Sequence, residues 1–164
     1  MVVLFYVEDC LMFSPYKDKI DEVYASLQSY FNIEDDGDIN KYRGIDFDRR
    51  LDGSIRIRQI YLTQSILNII PGMNKSSANP THVVKPPIAK NEVYQAINND
   101  FSYISVIGLL NSLTNSTRPE VKFAVRQIVW FSADPKLLYD QAVKRVLKYL
   151  KGEATQGLII KPDI

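Results

Sequence analysis

The most informative stretch of this sequence is Val2-Val3-Leu4-Phe5-Tyr6-Val7-Glu8-Asp9-Cys10-Leu11-Met12-Phe13. Two apolar runs, rich in residues that favour strands, lie on either side of two adjacent carboxylates. The pattern predicts a buried β-hairpin with Glu8 and Asp9 at its tip. Neighbouring anions repel each other and are costly to desolvate, and a divalent cation relieves both costs. Because hard oxygen ligands suit Mg²⁺, the stretch predicts a magnesium-binding pair. The alternative is an acidic turn that only faces solvent.

Further motifs follow this hairpin in a fixed order along nearly all 164 residues. They are an amphipathic helix after Ser14-Pro15, then Asp36-Gly37, Tyr42-Arg43-Gly44-Ile45, Ser105-Val106-Ile107-Gly108, Thr117-Arg118-Pro119 and Ala142-Val143-Lys144-Arg145-Val146-Leu147-Lys148-Tyr149-Leu150. The set resembles the reverse transcriptases of copia-type retrotransposons, and Tyr6-Val7-Glu8-Asp9 resembles their Tyr-x-Asp-Asp box. Six motifs in the family's order are far more specific than any one of them.

The resemblance implies an α+β fold, in which antiparallel palm-type hairpins pack on a helix and a mainly helical thumb or connection subdomain follows. Residues 1–70 would be the C-terminal part of the palm, with the Tyr-Val-Glu-Asp hairpin and a second hairpin resembling a primer grip. Residues 71–93 would be a Pro-containing connection, and residues 94–152 the helical part. Residues 153–164 would begin a strand that leads to a ribonuclease H domain.

The resemblance also assigns roles to individual residues. Glu8 and Asp9 would be catalytic and would hold Mg²⁺ for two-metal nucleotidyl transfer in the intact parent enzyme. The expected partner is an RNA/DNA template-primer, and the residues expected to contact it are Tyr6, Tyr42, Gly44, Lys144, Lys148 and Lys151. For the three lysines, phosphate contact and a solvated helix face are equally good interpretations.

Three departures from the family pattern argue against activity, the mildest being Leu109-Leu110-Asn111 in place of the family's Ser-Leu-x segment. Glu8 stands where the family has Asp, and its extra methylene moves the carboxylate by ~1.5 Å, which Mg²⁺ geometry tolerates poorly. Arg43 replaces an apolar family residue and is expected to bring charge into a packed position.

The chain is also expected to lack the upstream palm and fingers, and the downstream ribonuclease H domain, of the same polyprotein. We therefore expect this chain to be inactive without them. The alternatives are a non-catalytic relic that binds nucleic acid or protein, and a degenerate reading frame whose product does not fold stably.

Charge is distributed unevenly along the chain. Residues 1–40 carry two basic and nine acidic side chains, a net charge of −7, whereas residues 118–151 carry eight basic and three acidic ones, a net charge of +5. An acidic end for cations and a basic end for phosphates suit a nucleic-acid enzyme, although ordinary solvated charge gives the same pattern.

Composition excludes several classes of site. Cys10 is the only cysteine, which rules out an intrachain disulfide and a cysteine-rich zinc site. No apolar run approaches the ~18 residues of a membrane span, so we expect no membrane partner. We expect an intracellular location, in a cytoplasmic particle or the nucleus.

Local patterns predict the remaining elements. Helices are expected over residues 16–31, 61–70, 101–115, 119–131 and 134–151. A second hairpin is expected around Asp52-Gly53. Its strands carry two aspartates and two arginines at alternate positions, Asp46, Asp48, Arg56 and Arg58. We favour cross-strand ion pairing for these four side chains over a second metal site.

Overall fold

The computed structural model describes residues 1–81, 101–130 and 137–161. The chain divides into two compact units, Met1–Asp38 and Ile39–Ile164. Helices and antiparallel sheets occur together in the chain.

The first unit consists of the predicted hairpin and one helix. Its elements are β1 (Val2–Tyr6), β2 (Asp9–Phe13) and α1 (Lys17–Gln28). The two strands pair antiparallel from Val2 opposite Phe13 to Tyr6 opposite Asp9. This register confirms the predicted hairpin with the acidic pair at its tip. The predicted burial of the hairpin is wrong, because no residue of this unit is fully buried.

Helix α1 is shorter than its apolar spacing predicts. The half-buried residues are Ile20, Val23, Tyr24 and Leu27. The helix then ends at Gln28, where the Ser29 hydroxyl donates to the Ser26 carbonyl at 2.7 Å. Tyr30 and Phe31, expected to extend the apolar stripe, are 80% and 62% exposed. The helix therefore ends before the acidic run is reached, and a serine at its end bonds back to a carbonyl of the last turn.

The second unit contains a four-stranded antiparallel sheet in the order β3-β4-β5-β6. Its strands are β3 (Lys41–Tyr42), β4 (Ile45–Arg49), β5 (Ile55–Arg58) and β6 (Leu158–Ile160). Asp52-Gly53 lies in the β4–β5 turn as predicted. The Asp52 carboxylate accepts hydrogen bonds from the Ser54 amide at 3.0 Å and from its hydroxyl at 2.6 Å. These bonds lower the pKa of the Asp52 carboxyl.

Strand β6 has a partner that the sequence did not indicate. The sequence predicts a strand here that leads towards another domain, but this strand pairs with β5, from Ile55 opposite Ile160 to Ile57 opposite Leu158. Close approach is possible because Gly157 has no side chain. A Cβ built there would lie 2.1 Å from the Ile57 carbonyl oxygen. The strand therefore completes the sheet of this chain.

Four helices carry the core of the second unit. They are α2 (Ile60–Ile69), α3 (Tyr103–Ser116), α4 (Lys122–Val129) and α5 (Leu137–Gly152). Short 3₁₀ turns span Met73–Lys75 and Pro119–Val121, so Pro119 begins a 3₁₀ turn and α4 follows it. The predicted helix start at Asp134-Pro135 lies outside the described residues. None of the described helices has the length and apolar character needed to cross a membrane.

The helices bury one apolar cluster. Its fully buried side chains include Ile66, Val106, Leu110, Leu113, Val121, Val125, Val143, Val146 and Leu147. The prediction that Val143, Val146, Leu147 and Leu150 face a core is confirmed. Helix α2 packs in the same apolar cluster as α3 and α5. Helices on both sides of residue 70, where the sequence predicted a boundary, therefore share one core. The two compact units divide after residue 38 instead.

Candidate active site and nucleic-acid contacts

The acidic tip of the first hairpin is a two-residue turn made by Val7 and Glu8. Val7 has a φ of 53°, in the left-handed region that costs an L-residue about 1–2 kcal/mol and that β-branched residues rarely adopt. Asp9 begins β2 opposite Tyr6, and both carboxylates are exposed. A strained turn thus places Glu8 and Asp9 next to each other in solvent, where a ligand has access to them.

The two carboxylates suit a hard cation but make up only part of a site. Glu8 and Asp9 supply the oxygen donors that Mg²⁺ prefers. Within the described ranges, no group of three or more His, Cys, Asp or Glu side chains could hold a metal ion. Any Mg²⁺ held by Glu8 and Asp9 would therefore take its remaining ligands from water or from residues outside the described set.

The Tyr42-Arg43-Gly44-Ile45 segment forms the turn between β3 and β4. Arg43 and Gly44 both have positive φ, 47° and 76°, which is the pattern of a two-residue hairpin turn. Tyr42 is half-buried and pairs with Ile45. The expectation that Arg43 occupies a packed position is wrong, because the residue is exposed at the turn, where a charge is well solvated.

Charged residues lie opposite each other across β4 and β5, and one of the two predicted ion pairs forms. Asp46 lies opposite Arg58, and Asp48 lies opposite Arg56. Arg56 Nη2 and Nε donate to Asp48 Oδ2 at 2.5 and 3.1 Å. These hydrogen bonds are the main reason why the pKa of the Asp48 carboxyl lies below its ordinary value of 3.8. The predicted cross-strand ion pair is therefore confirmed for Asp48 and Arg56, whereas Asp46 and Arg58 lie opposite each other in register without an ion pair among the described residues.

This ion pair predicts a pH dependence. Because the Asp48 pKa is lowered by folding, the pair stabilises the chain above about pH 4, and this contribution is lost as the pH falls through the lowered pKa. Asp48→Asn should flatten the pH dependence of the urea midpoint below about pH 4. Arg56→Gln should give the same change, because it removes the same pair. An Asp48→Asn curve parallel to that of the unaltered chain would contradict the assignment.

Two of the three candidate phosphate-binding lysines are engaged within the fold. Lys144 Nζ lies 2.7 Å from Oδ2 of Asp140, whose side chain is only 4% exposed. Lys151 Nζ donates to the carbonyl oxygens of Asn74 and Ser76, both at 2.6 Å. Lys148 is half-buried and makes no side-chain hydrogen bond or ion pair with the described residues. Of the three, Lys148 is therefore the best placed to bind a phosphate.

Comparisons with known proteins identify the family. The chain is 26% identical over 163 residues to the retrovirus-related Pol polyprotein from transposon RE1 of Arabidopsis thaliana. It is 29% identical over 161 residues to an uncharacterised mitochondrial protein of the same plant, and 24% identical over 146 residues to a Saccharomyces cerevisiae protein attributed to transposon Ty5-1. The chain is homologous to copia-type retrotransposon Pol polyproteins. This confirms the family resemblance drawn from the motifs.

The fraction of each sequence that the alignments cover shows how far this homology extends. The three alignments cover 97%, 98% and 88% of the present chain. They cover 11% of the RE1 polyprotein, 65% of the mitochondrial protein and 47% of the Ty5-1 protein. The chain thus corresponds to one segment of a Pol polyprotein. No family model matches it, and no solved structure matches it.

The Thr-Arg-Pro segment of this Pol homologue forms a buried polar network that the sequence did not reveal. Thr117 Oγ1 donates to Gln59 Oε1 at 3.2 Å. Arg118 is 2% exposed; its Nε donates to Glu120 Oε1 at 2.6 Å and its Nη1 to the Glu153 carbonyl at 2.9 Å. Its guanidinium carbon lies 5.9 Å from the centre of the Tyr149 ring. The motif marked the position, but Glu153 is 35 residues away, too far for any local pattern to indicate the contact.

Proposed function

We propose that this chain is the C-terminal part of the reverse transcriptase of a copia-type retrotransposon, with palm, primer-grip and thumb or connection segments. The observation that carries the proposal is the acidic tip of the β1–β2 hairpin. It occurs in a chain of which 97% aligns with a segment of the RE1 Pol polyprotein. The strained backbone at Val7 supports it, because such strain is concentrated at functional sites.

In this proposal, different residues of the chain bind the metal ion, the primer and the nucleic-acid backbone. Glu8 and Asp9 would hold Mg²⁺, and the bound ion would supply stabilisation of the charge that develops during nucleotidyl transfer. Tyr6, next to them in the hairpin, lies beside the growing primer end. Tyr42 and Gly44 position the primer at the β3–β4 turn, and Lys148 contacts a backbone phosphate. Such phosphate contacts add affinity without reading sequence.

Catalysis in this proposal depends on the rest of the polyprotein. Glu8 and Asp9 are two carboxylates, and the described residues supply no third ligand to join them. The upstream palm would provide another aspartate, and a ribonuclease H domain would follow. The template-primer is the nucleic-acid partner, and the location is intracellular. The chain without these parts is inactive.

A primer-extension assay tests the proposal. The chain is joined behind the upstream segment of the RE1 polyprotein, and Mg²⁺-dependent extension of a DNA primer on an RNA template is measured. Asp9→Asn should lower the rate by roughly a hundredfold or more, because a metal ligand is lost. Glu8→Asp should raise it by roughly tenfold, because the shorter arm restores the family's geometry.

The control for this assay is Asp18→Asn, which alters an exposed carboxylate on α1 and should leave the rate unchanged. An equal loss in Asp9→Asn and Asp18→Asn would contradict the assigned site.

A second candidate, a non-catalytic relic, is favoured by Glu8, since a dead copy tolerates a substitution at a metal ligand. If Glu8→Asp restores no extension while the 164-residue chain still binds an RNA–DNA hybrid in low salt, the relic is the better description.

A further inference from the structure

Helix α4 exposes two large aromatic side chains that the proposed reverse-transcriptase site does not use. Phe123 is 70% exposed, and Trp130, which caps the helix with helical dihedral angles, is 76% exposed. The opposite side of the helix is buried through Ala124, Val125 and Ile128. Large exposed aromatic side chains on one side of a helix are a mark of an interaction site.

Cations share this side of the helix with the rings. At 3.6 residues per turn, Lys122, Phe123, Arg126 and Trp130 fall within an arc of about 100°. We call these four residues the α4 surface. Both Lys122 and Arg126 are exposed, and neither forms an ion pair with any residue in the described ranges. Helix α4 contains no Asp or Glu, so the α4 surface carries charge of one sign.

This combination selects the chemistry of the ligand. Two cations favour an anion, and two planar rings favour groups that stack on them. A nucleic-acid single strand offers both, because its phosphates are charged and its bases are open to stacking. A duplex keeps its bases stacked within the helix. An acidic peptide without aromatic side chains satisfies the cations but gives the rings no aromatic stacking partner.

We propose that the α4 surface binds single-stranded nucleic acid without sequence preference. The binding depends on Phe123 and Trp130 for stacking, and on Lys122 and Arg126 for phosphate contact. This site shares no residue with the Glu8–Asp9 hairpin or the β3–β4 turn, and it functions whether or not the chain is part of a polymerase. Its failure would leave the primer-extension proposal untouched.

Trp130 is the only tryptophan of the chain, so its fluorescence reports directly on this surface. Titrating the 164-residue chain with a twenty-nucleotide oligothymidylate in low salt should quench the emission as bases stack on the indole. The affinity should fall with salt, with a log–log slope of about −1.4 for two phosphate contacts. Heparin, a polyanion without bases, should bind without comparable quenching.

Variants assign the binding to named side chains. Phe123→Ala and Arg126→Gln should each weaken binding about fivefold or more, with the helical circular dichroism unchanged. Tyr61→Ala is the matched control, because it removes a ring that is 75% exposed on α2 and should leave the affinity as it was. An absence of quenching in low salt, equal quenching by heparin, or equal effects of Phe123→Ala and Tyr61→Ala would overturn the proposal. Binding of a polyglutamate peptide in preference to the oligonucleotide would overturn it in favour of an acidic protein partner.

Discussion

Replacing Arg118 with Ala is expected to lower the free energy of unfolding by about 2–4 kcal/mol. The Arg118 side chain is 3% exposed, and its removal leaves the Glu153 carbonyl without its donor and the Glu120 carboxylate without its ion pair. Glu120 is 39% exposed and regains water, which keeps the loss below that of a fully buried pair. The contact of the Arg118 guanidinium with the Tyr149 ring is lost as well.

Urea unfolding followed by circular dichroism measures this loss. Arg126→Ala is the matched control: it removes an exposed arginine on α4 and should change stability by no more than about 0.5 kcal/mol. Arg118→Lys should fall between the two, because lysine keeps the charge but cannot make both contacts of the planar guanidinium. Equal midpoints for Arg118→Ala and Arg126→Ala would mean that the buried network contributes nothing to stability.

Gly157→Ala is expected to be the second most damaging change, at about 1–3 kcal/mol. Its Cβ would lie 2.1 Å from the Ile57 carbonyl oxygen and 2.8 Å from the Arg58 Cβ. Because a backbone atom of a paired strand cannot rotate away, β6 has to move off β5. Hydrogen exchange of the β5 and β6 amides should accelerate well beyond that of the helical amides.

A second glycine provides the control for this change. Gly108, in α3, has no atom within 4 Å of a built Cβ. Gly108→Ala should stabilise the chain by roughly 0.5–1 kcal/mol, because alanine is the better residue inside a helix. A loss of stability in both variants would show that the loss at Gly157 does not come from its contact with β5.

The elements that the sequence predicted well are those with local signals. The hairpin tip followed from two apolar runs around an acidic pair, and the β4–β5 hairpin followed from the Asp52-Gly53 turn between two strand-like segments. The end of α1 was missed because Tyr30 and Phe31 continue the apolar spacing beyond Gln28, where the helix ends. The partner of β6 was missed because a short apolar run such as Leu158–Ile160 identifies a strand but carries no information about a partner as distant in the chain as Ile55.

The candidate site was predictable to a smaller extent. Glu8 and Asp9 stood out because adjacent carboxylates between apolar runs are chemically costly. The sequence did not indicate the contacts of Lys151 in α5. The Asn74 and Ser76 carbonyls that accept its hydrogen bonds lie far from it in the chain. Arg43 was expected inside the fold, since its neighbours read as a strand. Its positive φ makes it a turn residue, and that depends on backbone geometry that side-chain patterns do not encode.

The pairing of β5 with β6 has a consequence for the order in which the chain can acquire its structure. During synthesis, β3, β4 and β5 are available early, whereas the strand that covers their edge emerges only after α2, α3, α4 and α5. Contacts between residues so distant in sequence form slowly. The chain loses conformational entropy when the long loop closes, and the strand contacts that offset this loss form only afterwards. Until then the nascent chain carries an unpaired strand edge, and a ribosome that stalls before residue 158 releases a product open to edge-to-edge association.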